Sequence, residues 1–201
     1  MKAAHQTQFS LSRIPWKHRL SHGGVLRNQR LGRRGRPLSN RDPVHLVLKA
    51  QRLCLGKGLG LRTYKRFFLI QSLVQRYSLR FSVKVEQISI QGDHIHLLVR
   101  SRRRRALQNF LRVVSGQIAQ EFIRREILVV TDTPDRKTGA GGKKLKLWLH
   151  RPFTRVIKGR RALVIVRNYI QLNEKEAYGE IVYQKKRLRG LSLSDWQALW
   201  T

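Results

Sequence analysis

The sequence predicts an α+β domain built on an antiparallel sheet, because two hydrophobic periodicities alternate along its central part. Apolar residues repeat every second position in some segments and every three or four positions in others, as strands and amphipathic helices require. The predicted order is β-α-β-β-α-β-α. Its first six elements are those of a ferredoxin-like, split βαβ sheet with helices on one face. The seventh element is an additional C-terminal helix.

The first four elements follow from short-range patterns between residues 44 and 99. Residues 44–49 alternate as a strand, and residues 51–60, which hold three glycines, are predicted as a loop. Apolar residues at helical spacing indicate a helix over residues 63–78. Alternation over residues 81–90 and 94–99, on either side of a short turn, predicts a hairpin.

The remaining elements are a long helix, a loop, a strand and a last helix. The apolar face of the long helix comprises Leu107, Leu111, Val114, Ile118 and Phe122. Residues 131–144, with a proline and three glycines, are predicted as a loop. Residues 145–157 are strand-like, and residues 160–177 complete the domain, which we place at residues 42–183.

Charge is the strongest compositional signal. The chain has 43 Lys and Arg against 11 Asp and Glu, a net charge of +32 over 201 residues. Such a surface attracts polyanions, so nucleic acid is the expected partner and a membrane surface is the rival. No segment is apolar enough to suggest a membrane span or a signal peptide. The single cysteine excludes an internal disulfide and a cysteine-based zinc site. A cytoplasmic, nucleoid-associated protein is expected.

The two ends of the chain are basic extensions. Residues 1–41 contain ten Lys or Arg and no acid, and a glycine-arginine stretch from 32 to 36 favours no regular structure. We interpret them as a flexible arm that contacts phosphates, although a merely solvated tail is an alternative. The candidate DNA-binding residues of the arm are Arg33, Arg34 and Arg36. Residues 184–201 form a basic tail.

A second group of arginines follows the hairpin directly. Its members are Arg100, Arg102, Arg103, Arg104 and Arg105. Their spacing places guanidinium groups on several sides of the following helix, so they cannot all contact one DNA strand. We expect some of them to bind phosphates and others to be solvated.

The motif His94-Ile95-His96 is a candidate metal site. Residues i and i+2 of a strand point to the same side, so both imidazoles would project from one face of the sheet. Two imidazoles on a rigid strand are a ready pair of metal ligands. By itself the motif is weak evidence for a metal site. A chain with seven histidines can contain a His-x-His pair by chance, so the false-positive risk is high.

Tyr169 and Asn173 are candidates on the last helix. Their i, i+4 spacing makes them neighbours on one helical face, which Ala162 and Val166 extend toward the sheet. Taken alone, a tyrosine in this position is more often a core residue with its hydroxyl at the edge. An asparagine there can equally be a bystander near the end of a helix.

Together these motifs resemble those of the HUH single-tyrosine transposases, in particular the small insertion-sequence enzymes and the REP-associated tyrosine transposases. The resemblance covers roughly residues 42–182. His94 and His96 match the two metal-binding histidines of the family. Tyr169-Ile170-Gln171-Leu172-Asn173 is similar to its nucleophile motif.

Other segments extend the resemblance, and two positions depart from it. Val44–Val47 is similar to the first strand of the family, in which the histidine, here His45, is not a ligand. Residues 148–157 are similar to the strand before the catalytic helix. Glu174 stands where relatives commonly have proline, and Gly92-Asp93 replaces their Pro-Asn.

The resemblance implies a mechanism. His94, His96 and Asn173 would hold Mg²⁺ or Mn²⁺, and Tyr169 would attack a DNA phosphorus to leave a 5′-phosphotyrosine. Relatives act on single-stranded or hairpin DNA, as monomers or as homodimers. The expected activity is transposase-like cleavage and rejoining of one DNA strand.

Two alternatives remain open at this stage. A protein of the same fold that binds nucleic acid without cutting it would keep the basic surface and lose only the chemistry. A ribosome-associated RNA-binding protein would explain the charge. It would not explain the histidine pair and the Tyr-x-x-x-Asn helix.

Overall fold

A computed structural model describes residues 20–24, 35–56, 59–128 and 146–182. Within these ranges lie five strands and three α-helices. The strands are β1 (Ser21–His22), β2 (Val44–Lys49), β3 (Lys84–Ile90), β4 (His94–Arg100) and β5 (Phe153–Val156). The helices are α1 (Tyr64–Arg80), α2 (Arg104–Arg124) and α3 (Arg160–Tyr178). A short 3-10 helix spans Arg52–Leu55.

The strands form one antiparallel sheet in the order β1-β5-β2-β4-β3. Strand β4, which carries both candidate histidines, therefore lies inside the sheet and is paired on both edges. Val44 of β2 lies opposite Val99 of β4, and Lys49 lies opposite His94. The predicted α+β fold class and split βαβ sheet are confirmed.

Helices α1 and α2 cover one face of the sheet and enclose the main core. Leu46 of β2 and Ile95 and Leu97 of β4 belong to the same buried cluster as Ile70 of α1 and Phe110 of α2. These side chains are at most 1% exposed. The apolar faces of the two helices meet the apolar face of the sheet, as their periodicity predicts.

Helix α3 packs on the opposite face. A smaller cluster joins Leu98 of β4 with Ile157 and Ile170, and Val166 and Tyr169 pack against it. The predicted inward face of the last helix is therefore confirmed. The sheet separates a structural core on the α1–α2 side from a second layer on the α3 side. No described helix is long and apolar enough to cross a membrane.

Part of the basic arm belongs to the sheet. Ser21–His22 pairs with β5, so the interpretation of residues 1–41 as a flexible arm was wrong for this segment. The close approach depends on Gly23, whose φ is +84° and where a Cβ would collide with the carbonyl of Pro152. Backbone pairing between distant segments leaves little trace in composition. For this reason the arm resembled a solvated extension.

Two predicted strands begin later than expected. Within the segment predicted over residues 145–157, the described part from 146 onward is a regular strand only from Phe153, and Pro152 before it has no N–H to donate to a neighbouring strand. Before it, Trp148 forms an isolated bridge with Ala50. Strand β3 begins at Lys84 rather than residue 81, because Ser82 adopts a left-handed φ of 51°. The loop over residues 131–144 and the tail lie outside the described residues.

Candidate active site

The alternation of β4 brings His94 and His96 to the face covered by α3. Their ring centroids lie 4.8 Å apart, with the ring planes at 89°. His96 is 3% exposed, whereas the His94 side chain is about one-third exposed. The ring of His96 therefore lies in the interior of the protein, and the ring of His94 lies closer to the surface.

Asp93 holds the ring of His94. Nδ1 of His94 donates to Oδ1 of Asp93 at 2.6 Å, and Nε of Arg52 donates to Oδ2 at 2.8 Å. Burial raises the pKa of Asp93, but the hydrogen bonds from His94 and Arg52 outweigh it and hold this pKa below its usual range. Asp93 is therefore a carboxylate at neutral pH and keeps Nδ1 of His94 protonated.

His45 of β2 contacts the ring of His96 through a ring nitrogen. Its Nε2 lies 3.1 Å from Nδ1 of His96, and the two rings stack with centroids 5.2 Å apart. In the β2–β4 pairing His45 lies opposite Leu98, so it is the diagonal neighbour of His96 on the same face. Burial, and secondarily the charge of Arg155, lowers the pKa of His45 to about 4. His45 is thus a neutral, buried imidazole at neutral pH.

Tyr169 of α3 lies against these histidines. Its ring centroid is 5.4 Å from that of His96 and 6.4 Å from that of His45, both in edge-to-face geometry. The ring also packs on the small cluster around Leu98. The fold therefore brings the candidate nucleophile to the candidate metal ligands, although the two motifs are far apart in the sequence.

Asn173 lies one helical turn beyond Tyr169 and is 5% exposed. The end of the β3–β4 hairpin holds the backbone at this point, because Nε2 of Gln91 donates to the carbonyl of Asn173 at 2.8 Å. The same amide also donates to Oγ of Ser89 at 2.7 Å. The third candidate ligand is thus fixed to the hairpin that carries the other two.

Glu174, which stands where relatives commonly have proline, forms an ion pair with an arginine side chain. Nη1 of Arg62 donates to Oε1 of Glu174 at 3.1 Å and to the carbonyl of Ile90 at 2.9 Å. The guanidinium also lies 4.1 Å from the ring centroid of Tyr178. The extra carboxylate therefore takes part in an ion pair that ties α3 to β3.

The residues fit an open metal site better than a closed one. Nδ1 is engaged in both His94 and His96, so Nε2 is the nitrogen through which each ring would bind an ion. In the part of the chain that the structure describes, no group of three or more His, Cys, Asp or Glu is arranged to hold a metal. Completing the site would require the Asn173 amide and oxygens from a substrate.

The arginine run lies away from this site. Arg100 is six residues beyond His94 along β4, which corresponds to about 20 Å. Its guanidinium donates to Glu86 at 2.9 Å and to the carbonyl of Arg41 at 3.0 Å. Arg104 donates to the carbonyl of Arg36. The exposed members of the run are Arg102, Arg103, Arg104 and Arg105.

Of the three candidate DNA-binding residues of the arm, the structure describes one, Arg36. Arg36 is half-buried and donates to the carbonyl of Pro152 at 2.8 Å, with Oγ1 of Thr154 at 3.4 Å. Burial, and secondarily the charge of Arg151, lowers its pKa. Arg36 thus fastens the arm to β5. Arg33 and Arg34 lie outside the described residues.

The sequence reasoning missed Arg155. It lies opposite His45 in the β2–β5 pairing, so it projects from the same face, and it is exposed. Burial is the main cause of the low pKa of His45, and the charge of Arg155 adds to it. Strand alternation assigns Arg155 to one face of β5. The register that places it beside His45 could not be derived from that alternation.

Comparisons with known proteins give matches among solved structures. No protein-family model and no curated protein matches the chain significantly. Among the solved structures that match is one from Deinococcus radiodurans R1, described as a "putative transposase". It has a TM-score of 0.41 and 13% sequence identity, and the match covers 71% of this chain and 98% of that one.

Proposed function

We propose that the protein is a metal-assisted, transposase-like endonuclease that cleaves and rejoins one DNA strand through Tyr169. The observation that carries this proposal is the contact between Tyr169 and His96, whose ring centroids are 5.4 Å apart. It joins a candidate nucleophile and a candidate metal ligand from separate elements. A tyrosine serving only the core would not need a facing pair of oriented histidines.

A divalent ion, Mg²⁺ or Mn²⁺, bound by His94, His96 and Asn173 would neutralise the charge that develops on the scissile phosphate. Arg155 projects from the same face beside His45 and supplies a fixed positive charge for that phosphate. Because Asp93 and His45 engage the outer nitrogens, the ligand rings would not have to reorganise when the ion binds.

Tyr169 then carries the covalent chemistry. Its phenolic oxygen attacks the phosphorus and loses its proton to solvent, which forms the O–P bond of a 5′-phosphotyrosine. The bond from phosphorus to the 3′ oxygen breaks, and this oxygen leaves as a 3′-hydroxyl after taking up a proton. In the reverse direction a 3′-hydroxyl attacks the phosphotyrosine, which rejoins the strand without an external energy source.

The basic surface suits a nucleic-acid substrate. A net charge of +32 and the exposed arginines from 102 to 105 provide sequence-independent attraction to phosphates. Single-stranded or hairpin DNA is the proposed substrate, and the protein would act on it as a monomer or homodimer. A nucleoid-associated location in the cytoplasm accords with this partner.

A nucleic-acid-binding protein that does not cut is the second candidate. It is favoured by one observation: the described His, Cys, Asp and Glu side chains do not form a metal site by themselves. In that case the surface would bind DNA in the same way, and the histidine cluster would only stabilise the sheet.

Cleavage of end-labelled single strands, with Mn²⁺ or with a chelator, separates the two candidates. We expect metal-dependent nicking by the wild type. His94→Ala and His96→Ala should abolish it while leaving DNA binding intact, because phosphates are held mainly by Lys and Arg. His94→Ala is the cleaner variant, since its ring is partly exposed and its removal leaves little cavity. Normal nicking by both variants would contradict the metal site.

A further inference from the structure

The contact between His45 and His96 is directional rather than simple packing. Two ring nitrogens face each other at 3.1 Å, which is hydrogen-bond distance, and the ring planes are within 18°. His45 is only 9% exposed and lies on β2, the strand adjacent to the one that carries the ligands. A polar pair in such a place is held by the sheet register itself.

The direction of this hydrogen bond follows from proton counting. A neutral imidazole carries one proton, so a His96 ring that offers the Nε2 lone pair to a metal carries its proton on Nδ1. That N–H faces Nε2 of His45. His45 must then accept through Nε2 and carry its own proton on Nδ1.

We propose that His45 is a positioning residue, which accepts a hydrogen bond from Nδ1 of His96 and so presents Nε2 of His96 to the divalent ion. This inference rests on the proposed function. His45 itself touches neither ion nor DNA in this role. Outer partners of metal-binding histidines fix both the proton and the rotation of the ring, and their loss typically weakens metal binding by about 10- to 100-fold.

The arrangement mirrors that of the other ligand. Asp93 accepts from Nδ1 of His94 at 2.6 Å, as His45 is proposed to accept from Nδ1 of His96 at 3.1 Å. Each ligand thus has its own outer partner, a carboxylate at the partly exposed ring and an imidazole at the buried ring. At the buried position a neutral imidazole has a lower desolvation cost than a carboxylate, which would be strongly disfavoured there without a charged partner.

The first test uses the metal-free wild type. Nitrogen-15 NMR of histidine-labelled protein at mildly alkaline pH reports which nitrogen of each imidazole carries the proton. We expect His96 to carry it on Nδ1 and His45 also on Nδ1. A proton on Nε2 of His96 would overturn the proposal, whatever the activity of the protein.

The second test measures Mn²⁺ affinity by calorimetry in three variants. His45→Met keeps the volume and removes the acceptor, and should weaken binding by about 10- to 100-fold. His45→Gln places an amide oxygen near the former Nε2 and should retain most of the affinity. His94→Ala is the control that identifies the site, and its binding should be lost.

The outcomes separate this inference from the proposed function. If the wild type binds Mn²⁺ and both His45 variants bind it equally well, the positioning role is refuted and the endonuclease proposal stands. If the wild type binds no Mn²⁺, the metal site falls and the positioning role falls with it. If His45→Met does not fold, the wild-type tautomers decide: a proton on Nδ1 of both His96 and His45 supports the positioning role, and a proton on Nε2 of His96 refutes it.

Discussion

The side chains at the site owe their positions to two different sources. Strand and helix periodicity places His94 and His96 on one face of β4 and Tyr169 on the inner face of α3. These orientations are local properties, so the sequence predicted them. The contacts of His45 and Arg155 depend on the register between β2, β4 and β5. That register is a long-range property, and no local pattern records it.

Arg155 provides a prediction at this scale. Arg155→Ala should slow cleavage by about 100-fold, because a fixed charge beside the scissile phosphate stabilises the transition state more than the bound substrate. The overall affinity for DNA should change little. Single-turnover cleavage rates and fluorescence anisotropy on the same oligonucleotide measure the two effects.

Arg105→Ala is the matched control for Arg155. It is an exposed arginine at the start of α2, away from the histidines. If it contacts a phosphate of the single strand, its loss should lower affinity and reduce the salt slope by about 0.7 while leaving the rate of the chemical step unchanged. Equal effects of the two substitutions on rate would argue against a specific role for Arg155.

At the scale of elements, helix α3 is the part that completes the site. Its small apolar cluster with β4 is supported by polar ties to the β3–β4 hairpin, through Gln91 at Asn173 and through Arg62 at Glu174. The existence and orientation of the helix were predictable from its amphipathic pattern. The ties were not, because they involve polar residues that also suit exposed loops.

Arg62 therefore has a predicted structural effect. Arg62→Met removes a hydrogen bond to Ile90 and an ion pair with Glu174, in which both side chains are mostly buried. We expect a loss of about 1–3 kcal/mol in the free energy of local opening at the end of α3. Hydrogen exchange of the amides over residues 170–178 measures it.

Arg124→Met is the control for this change. Arg124 also forms an ion pair, with Glu121, but its side chain is 68% exposed on the surface of α2. Exposed pairs contribute little, so exchange in α3 should not change. An equal response to the two substitutions would mean that Arg62 does not hold the helix.

At the scale of the whole molecule, the described basic segments lie apart from the candidate active site. The arginine run lies at the end of β4 remote from His94, and residues 20–24 and 36 of the arm are fastened to β5. The proposed DNA-binding surface would therefore extend well beyond the candidate active site. Composition predicted the sign of this surface, and only the sheet topology indicated where its parts lie.

The salt dependence of binding tests the arm. Removing residues 1–19 leaves β1 in place and removes four of the ten basic residues that precede Asp42. If these residues contact single-stranded DNA, the slope of log affinity against log salt should fall by up to about 3, at roughly 0.7 per phosphate. An unchanged slope would show that this part of the arm is solvated.

The most direct test of the central claim is a covalent adduct at Tyr169. Wild-type protein incubated with a labelled single strand and Mn²⁺ should yield a denaturation-resistant species that carries the fragment 3′ of the cut. Tyr169→Phe keeps the ring that packs on His96, so it should fold and bind DNA yet form neither adduct nor nick. The control variants, each of which should still form the adduct, are Tyr64→Phe, Tyr77→Phe, Tyr178→Phe and Tyr183→Phe. An adduct that persists in Tyr169→Phe, or nicking by the wild type without any adduct, would contradict the account.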